Sequence, residues 1–402
     1  MTDTPTPLAL VGCGGISEAH LNGFRALRQT GCRDVEYAAC CDVNRDAAEK
    51  RAGQIGEIQD TKPRVFTDVN ELIAAGAADA ALLCLPHWLH HTVGCTLLEG
   101  GLHIMTEKPL AMTVRACRKL IETAAQHGRV LATGEHTRRA PGARSAAWAL
   151  VEKKLIGEPL FAHVHTFRYG PLDFDQPMFK WRGVRLLAGG GMILDSGAHF
   201  ADMMLCLFGE PDEVYCVMHT FDQRTITGVP ILEKAQVNVD DTWHALIRFR
   251  NGVTVQYAYS HAVPCENNVF GRYYGTEGTL TDAWDWPIHA LETGGHITRQ
   301  DEATYTPQQI QEQYLAQLSA EERNRLFPFG CLDPFGVELW DFADAIRTGR
   351  PPELGGEDGL RATAFCHALY ESATLGRPVK YVDVLNGAVR EYQNPIDEYW
   401  GL

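Results

Sequence analysis

Leu8-Ala9-Leu10-Val11-Gly12-Cys13-Gly14-Gly15-Ile16-Ser17 decides how the rest of the chain is read. Leu8 to Val11 is a short unbroken apolar run, the mark of a strand buried on both faces. The glycines after it spell Gly-x-Gly-x-x-small, and an amphipathic stretch through Leu21, Phe24 and Leu27 opens directly afterwards. A strand, a glycine turn and a helix in that order form the dinucleotide-binding turn. Gly12 permits the tight bend, and Gly14 lets the main chain approach a pyrophosphate. Gly15 and Ile16 carry the chain onward, and Ser17 is the small residue in the third glycine's place. Amides at the start of the helix then face the phosphates. A plain structural turn is the competing reading.

The alternation continues outward from this point. Val35–Cys41, Arg64–Phe66, Ala80–Leu85, His103–Met105 and Arg129–Ala132 are further short apolar runs. Helix-like segments separate them, among them Asp68–Gly76 and a patterned stretch from Thr113 to Gly128 with Val114, Cys117, Leu120 and Ile121 on one face. Strands alternating with helices predict βαβ units, a parallel sheet and a doubly wound Rossmann domain over residues 1–137. Beyond that point several strand-like runs follow one another, including Val214–Phe221, Thr242–Arg250, Thr254–His261 and Val269–Tyr274. They predict an α+β domain over 138–402 with an open, mostly antiparallel sheet, for substrate binding and oligomerisation. The polar, irregular stretch 283–330 reads as an insertion in it.

Composition narrows the function classes. The 402 residues are 45% hydrophobic and 22% charged, which excludes a disordered chain or a fibre. Thirty-six basic against 51 acidic side chains leave a net charge of −15, a poor match for nucleic acid or an anionic membrane. The 12 cysteines are scattered and form no Cys-x-x-Cys. Reduced thiols in a cytoplasmic protein are therefore expected, with neither a disulfide framework nor a metal cage. The N-terminal residues lack a secretory pattern, and no run reaches the length of a membrane span.

Three more features carry chemistry. Asp42 ends the second strand, where a carboxylate can accept hydrogen bonds from the adenosine ribose and disfavour a 2′-phosphate. It favours NAD over NADP, although Arg45 leaves room for NADP; the bland alternative is a cap for the next helix. Glu107-Lys108-Pro109 ends the fifth strand, on the side of the sheet where ligands bind, so Lys108 projects toward the cofactor. Gly189-Gly190-Gly191 leads to Asp195 and His199, four apart and thus on one helix face. There the carboxylate can set the imidazole tautomer. An N-capping Asp beside a buried His explains the same pair equally well.

In this order, the glycine turn, Asp42, Leu85-Pro86-x-x-x-His90, Glu107-Lys108-Pro109 and the Gly-Gly-Gly…Asp-x-x-x-His segment resemble the glucose–fructose oxidoreductase, inositol dehydrogenase and rhizopine-catabolism family, Gfo/Idh/MocA. The resemblance covers 7–136 and about 180–210, weakens over 211–282 and is absent over 283–330. It implies a Rossmann domain followed by an α/β domain whose open sheet often forms the oligomer interface, here a homodimer or homotetramer. It implies that Lys108, Asp195 and His199 are the catalytic set, and that Gly12, Gly14, Gly15, Ile16, Asp42, Pro86, His90 and Glu107 bind the cofactor. Pro86-His87-Trp88 departs from the Pro-Asn common in the family. His87, His90 and His91 read as helix residues and not as metal ligands, and His163 and His165 as ordinary strand residues.

The implied reaction is NAD-dependent oxidation of a hydroxyl on a sugar, cyclitol or glycoside. His199 is the first choice of general base and Lys108 the second, with Asp195 orienting the imidazole. His136, Arg168 and Trp181 join Lys108, Asp195 and His199 as substrate contacts, since polar groups beside an indole suit a polyhydroxylated ring. An NAD-retaining lyase or glycosidase working through transient oxidation is the alternative. A non-catalytic NAD-sensing regulator is less favoured, because a sensor needs no such catalytic set.

Overall fold

The computed structural model describes residues 5–170, 172–282 and 291–402. The chain divides into two compact units. The first comprises the described residues of Met1–Ala111, Ala116–Arg139 and Ser319–Gly359; the second comprises those of Met112–Arg115, Ala140–Leu318 and Leu360–Leu402.

The first unit is built on strands β1 (Thr6–Val11), β2 (Val35–Cys41), β3 (Arg64–Phe66), β4 (Ala80–Leu83), β5 (His103–Glu107) and β6 (Leu131–Gly134). They pair in parallel in the order β3-β2-β1-β4-β5-β6. The order reverses between β1 and β4, and a ligand crevice opens beyond the carboxyl ends of strands at such a reversal. Leu8, Ala9 and Leu10 are fully shielded, which is why an unbroken apolar run stands there.

The helix Ser17–Gln29 turns Leu21, Phe24 and Leu27 inward, where Phe24 meets Tyr37 edge-on at 5.0 Å. Its other neighbour is the helix Pro334–Thr348, from a segment that sequence pattern assigned to 138–402. A Cβ on Gly23 would sit 2.5 Å from the Cβ of Phe335, and one on Gly336 would sit 2.7 Å from the Gly23 carbonyl oxygen. Glycine on both helices is therefore what lets the backbones touch. Leu339 and Phe342 then enter the same core as Leu10 and Phe24.

The second unit holds β7 (Pro159–Tyr169), β8 (Pro211–His219), β9 (Thr225–Val229), β10 (Glu233–Gln236), β11 (Thr242–Phe249), β12 (Thr254–Val263), β13 (Asn268–Gly275), β14 (Gly278–Asp282), β15 (Gly295–Arg299), β16 (Thr304–Tyr305) and β17 (Val379–Lys380). Nine of them form one sheet in the order β16-β15-β14-β13-β7-β12-β11-β8-β17, and β9 and β10 pair separately. The sheet is mixed: every pair is antiparallel except β7 with β12. One face is covered by the helix Gly197–Phe208, whose Phe200 stacks on Tyr257 at 3.7 Å, and by Phe365 of the helix Gly356–Leu375. Of the expected insertion 283–330, residues 283–290 lie outside the described residues. The rest supplies β15 and β16 to the sheet edge and the helix Pro307–Gln317.

All 12 cysteines are free, and nine are buried. Among the described residues no helix is long and apolar enough to cross a membrane.

Candidate active site

In the first unit the glycine turn has two distinct jobs. Gly12 adopts φ +89°, and a Cβ there would lie 2.3 Å from the carbonyl oxygen of Cys84, so no other residue fits. A Cβ on Gly14 would meet nothing within 4 Å, so that glycine leaves open room above the turn. Gly15 and Ile16 are exposed, whereas Ser17 is buried with its hydroxyl donating to the Gly14 carbonyl at 2.6 Å. Asp42 binds the turn to β2: one carboxylate oxygen accepts the Cys13 amide at 2.7 Å, the other the Asn44 amide at 2.8 Å. The cap of the next helix is Asn44, which accepts from the amides of Asp46 and Ala47, so Asp42 is not spent on capping. Half-buried, it keeps lone pairs for ribose hydroxyls.

Pro86 is half-buried at the mouth of β4. His90 is fully buried, with one ring nitrogen 2.9 Å from the Pro109 carbonyl oxygen and the other 2.9 Å from that of Leu85. His90, which the sequence offers as a cofactor contact, joins the loops after β4 and β5. Glu107 likewise turns inward. Its Oε1 lies 2.7 Å from His20 Nε2, and its Oε2 accepts the Lys108 amide at 3.1 Å. Burial drives the Glu107 carboxyl upward, but the His20 hydrogen bond and the neighbouring His20, Lys108 and His136 outweigh it and leave it lowered. Lys108 is half-buried, its amide also donates to the Gly134 carbonyl, and the Lys108–Pro109 peptide is cis. His136 is buried and stacks on Phe335 at 4.2 Å.

In the second unit the three consecutive glycines are each dictated by a neighbour. Gly189 takes φ +81°; a Cβ on Gly190 would strike the Tyr370 hydroxyl at 2.2 Å, and one on Gly191 the Asp240 carbonyl at 2.3 Å. Asp240, 3% exposed, accepts the Gly191 amide (2.7 Å) and the Tyr370 hydroxyl (2.6 Å) on Oδ1, and the Ile193 amide (2.9 Å) on Oδ2. This carboxylate, absent from the sequence reading, anchors the turn that delivers Asp195. The only sequence signal was an acidic pair, Asp240-Asp241, entering a strand. Asp195 closes the helical turn Met192–Asp195, and His199 is buried in the first turn of Gly197–Phe208. Arg182 donates to Asp195 Oδ2 at 2.8 Å and lays its guanidinium over Trp181 at 4.3 Å. Trp181, the indole that the sequence offers to a polyhydroxylated ring, is thus linked through Arg182 to Asp195. Arg168 is half-buried at the end of β7, and burial lowers its pKa, against a raising effect from Tyr259.

These features meet the comparisons with known proteins. Residues 7–135 match the oxidoreductase family with an NAD-binding Rossmann fold, and residues 145–281 match the GFO/IDH/MocA C-terminal domain. The chain belongs to the Gfo/Idh/MocA oxidoreductase family. Within the family it is 27% identical to 1,5-anhydro-D-fructose reductase of Ensifer adhaerens, over 92% of this chain and 96% of that protein. It is also 27% identical to D-glucoside 3-dehydrogenase of Escherichia coli, over 63% and 69% of the two chains. Among solved structures it shares its fold with a levoglucosan dehydrogenase in complex with NADH: TM-score 0.76, 23% identity, 94% of this chain and 99% of that one. As a Gfo/Idh/MocA member this chain is an NAD-dependent oxidoreductase. The open room at Gly14, the shielded bend at Gly12 and the half-buried Asp42 fit a dinucleotide.

Proposed function

We propose that the protein oxidises a secondary hydroxyl of a sugar, cyclitol or glycoside, with Lys108, Asp195 and His199 as the catalytic set. The first unit serves as the cofactor domain and the second as the substrate and assembly domain. The observation that carries this reading is the bracing of Asp195: its turn is pinned by Asp240, and its carboxylate is held by an Arg182 that lies on Trp181. An indole face beside charged hydrogen-bonding groups suits the C–H face and hydroxyls of a sugar ring.

Bound NAD supplies the hydride acceptor; Gly12, Gly14, Gly15, Ile16 and Asp42 would hold its pyrophosphate and ribose. His199 takes the hydroxyl proton as the carbon–hydrogen bond breaks. Asp195 orients the imidazole and stabilises its charged form. Lys108 stabilises charge developing on the substrate oxygen. His136, Arg168 and Trp181 contribute to substrate recognition. Neither the matched families nor the relatives above favour the elimination reading.

The open face of the nine-stranded sheet supports a homo-oligomer. Phe161, Tyr215, Val217 and Leu246 point the same way from neighbouring strands and are between 40% and 56% exposed. A cytoplasmic location agrees with twelve free thiols. A screen of hexoses, cyclitols and glycosides with NAD and with NADP, read at the absorbance of the reduced nicotinamide (about 340 nm), tests the proposal. Net reduction is expected with at least one polyol. Conversion of a glycoside without any net reduction contradicts it.

A further inference from the structure

Three ionisable side chains of the first unit meet away from water: His20 on the helix Ser17–Gln29, Glu107 at the end of β5, and Glu338 on the helix Pro334–Thr348. Their exposures are 1%, 4% and 0%. The close approach at Gly23 and Gly336 brings the two helices into contact, and it puts Glu338 beside the imidazole. His20 Nε2 is 2.7 Å from Glu107 Oε1, and Nδ1 on the other side of the ring is 3.5 Å from Glu338 Oε1. Phe335 seals the ring edge-on at 4.9 Å. The imidazole stands between the two acids and presents a different nitrogen to each.

Nδ1 of His20 and both carboxyl oxygens of Glu338 have no hydrogen-bond partner in this arrangement. A fully buried acid in that condition is costly, and an apolar residue of equal size would stabilise the fold more. Its presence opposite a histidine that holds Glu107 points to a task. We infer that His20 and Glu338 are positioning residues: with Glu107 they form a buried chain of shared protons that ends at the main-chain amide of Lys108 and fixes the charge of the carboxyl beside it. The inference rests on the reading of Lys108 as catalytic.

The proton count follows from the geometry. Three charges in a dry interior are far less favourable than one. Burial pushes the Glu338 carboxyl well above the usual range; Arg139 opposes this, while Glu107, Glu135 and Asp333 add to it. Glu338 therefore keeps its proton, with Nδ1 at 3.5 Å the nearest acceptor a small shift would reach, and the ring's proton stays on Nε2, donated to an ionised Glu107. Lys108 and His136 are the basic side chains that face Glu107 besides His20. The relay holds a single negative charge, at the carboxyl whose other oxygen receives the Lys108 amide.

The test uses the holo-protein labelled with ¹⁵N-histidine. The His20 signals, assigned by their loss in His20→Gln, should report a ring protonated on Nε2 and not on Nδ1 between about pH 7 and 8. An imidazolium or an Nδ1-protonated ring in that range overturns the relay. In the second arm, Glu338→Leu, which removes the donor facing Nδ1, should lower kcat about tenfold and shift its pH profile, and Glu338→Gln, nearly isosteric and still able to donate, should restore both. NADH affinity should stay within about threefold. A Glu338→Leu enzyme that loses only thermal stability, with kcat and pH profile unmoved, also overturns the inference. Lys108→Met separates the two readings: unchanged turnover in that variant removes Lys108 from catalysis, while the histidine spectra still decide the proton chain.

Discussion

Arg182 donates through Nε to Oδ2 of Asp195 at 2.8 Å, and both groups are mostly shielded from solvent. A charge-assisted bond of this kind fixes a carboxylate more firmly than a neutral one would. Arg182→Met should therefore lower kcat about tenfold or more with little change in NADH affinity, because the mutation frees Asp195 and leaves the first unit untouched. Steady-state kinetics beside NADH fluorescence titration checks this; equal loss in both would assign Arg182 a general structural role.

Two glycines two residues apart should respond to the same substitution in opposite ways. Gly12→Ala drives a Cβ into the Cys84 carbonyl and cannot adopt φ +89° without strain, so soluble yield or thermal stability should collapse. Gly14→Val has free space and should fold normally but weaken NAD binding at least about tenfold, since its side chain occupies the approach to the pyrophosphate. Normal NAD affinity in a well-folded Gly14→Val protein would remove the cofactor from this turn.

Asp240 accepts three donors and Tyr370 supplies one of them. Asp240→Asn places an amide N–H against at least one donor at a charged, buried site and should cost about 3 kcal/mol or more of stability, while Tyr370→Phe forfeits two hydrogen bonds, to Asp240 and from the Leu194 amide, about 2 kcal/mol together. Urea unfolding of the two variants should rank them in that order. Because the turn carries Asp195, the Asn variant should also lose turnover before it loses fold.

Much of this was legible from local pattern, and the exceptions share a cause. The strand–glycine–helix opening, Asp42 and the alternation that builds the parallel sheet depend on neighbours within a few tens of residues. The three glycines before Met192 were visible, but their reasons, Asp240 and Tyr370, are brought to them only by folding. The helix Pro334–Thr348 was visible as a helix, yet nothing local said that Gly336 would meet Gly23 and place it in the first unit. The burial of His90 between two carbonyls could not be read from spacing. The polar stretch after residue 290 hid β15 and β16, whose alternation is too short to stand out.

Acid should weaken the fold for a specific reason. Burial lowers His91, His261 and His367 to about 4, below the value near 6.5 of an unfolded chain. Below pH 6.5 the unfolded chain therefore binds more protons, so the stability present above that pH drains away as pH falls toward 4. Each group should remove roughly 2 kcal/mol by pH 5. Urea midpoints at pH 7 and pH 5 measure the slope. His367→Gln should flatten it by about one group's share, whereas an unchanged slope would mean that His367 is charged in the native state.

The most direct measurement mixes the enzyme with NAD and its best polyol and follows reduced nicotinamide in wild type, Lys108→Met and His199→Ala. Turnover should fall by ~10²–10⁴ in both variants while NADH binds as in wild type. Wild-type turnover in either variant, with the cofactor bound normally, would contradict the proposed chemistry.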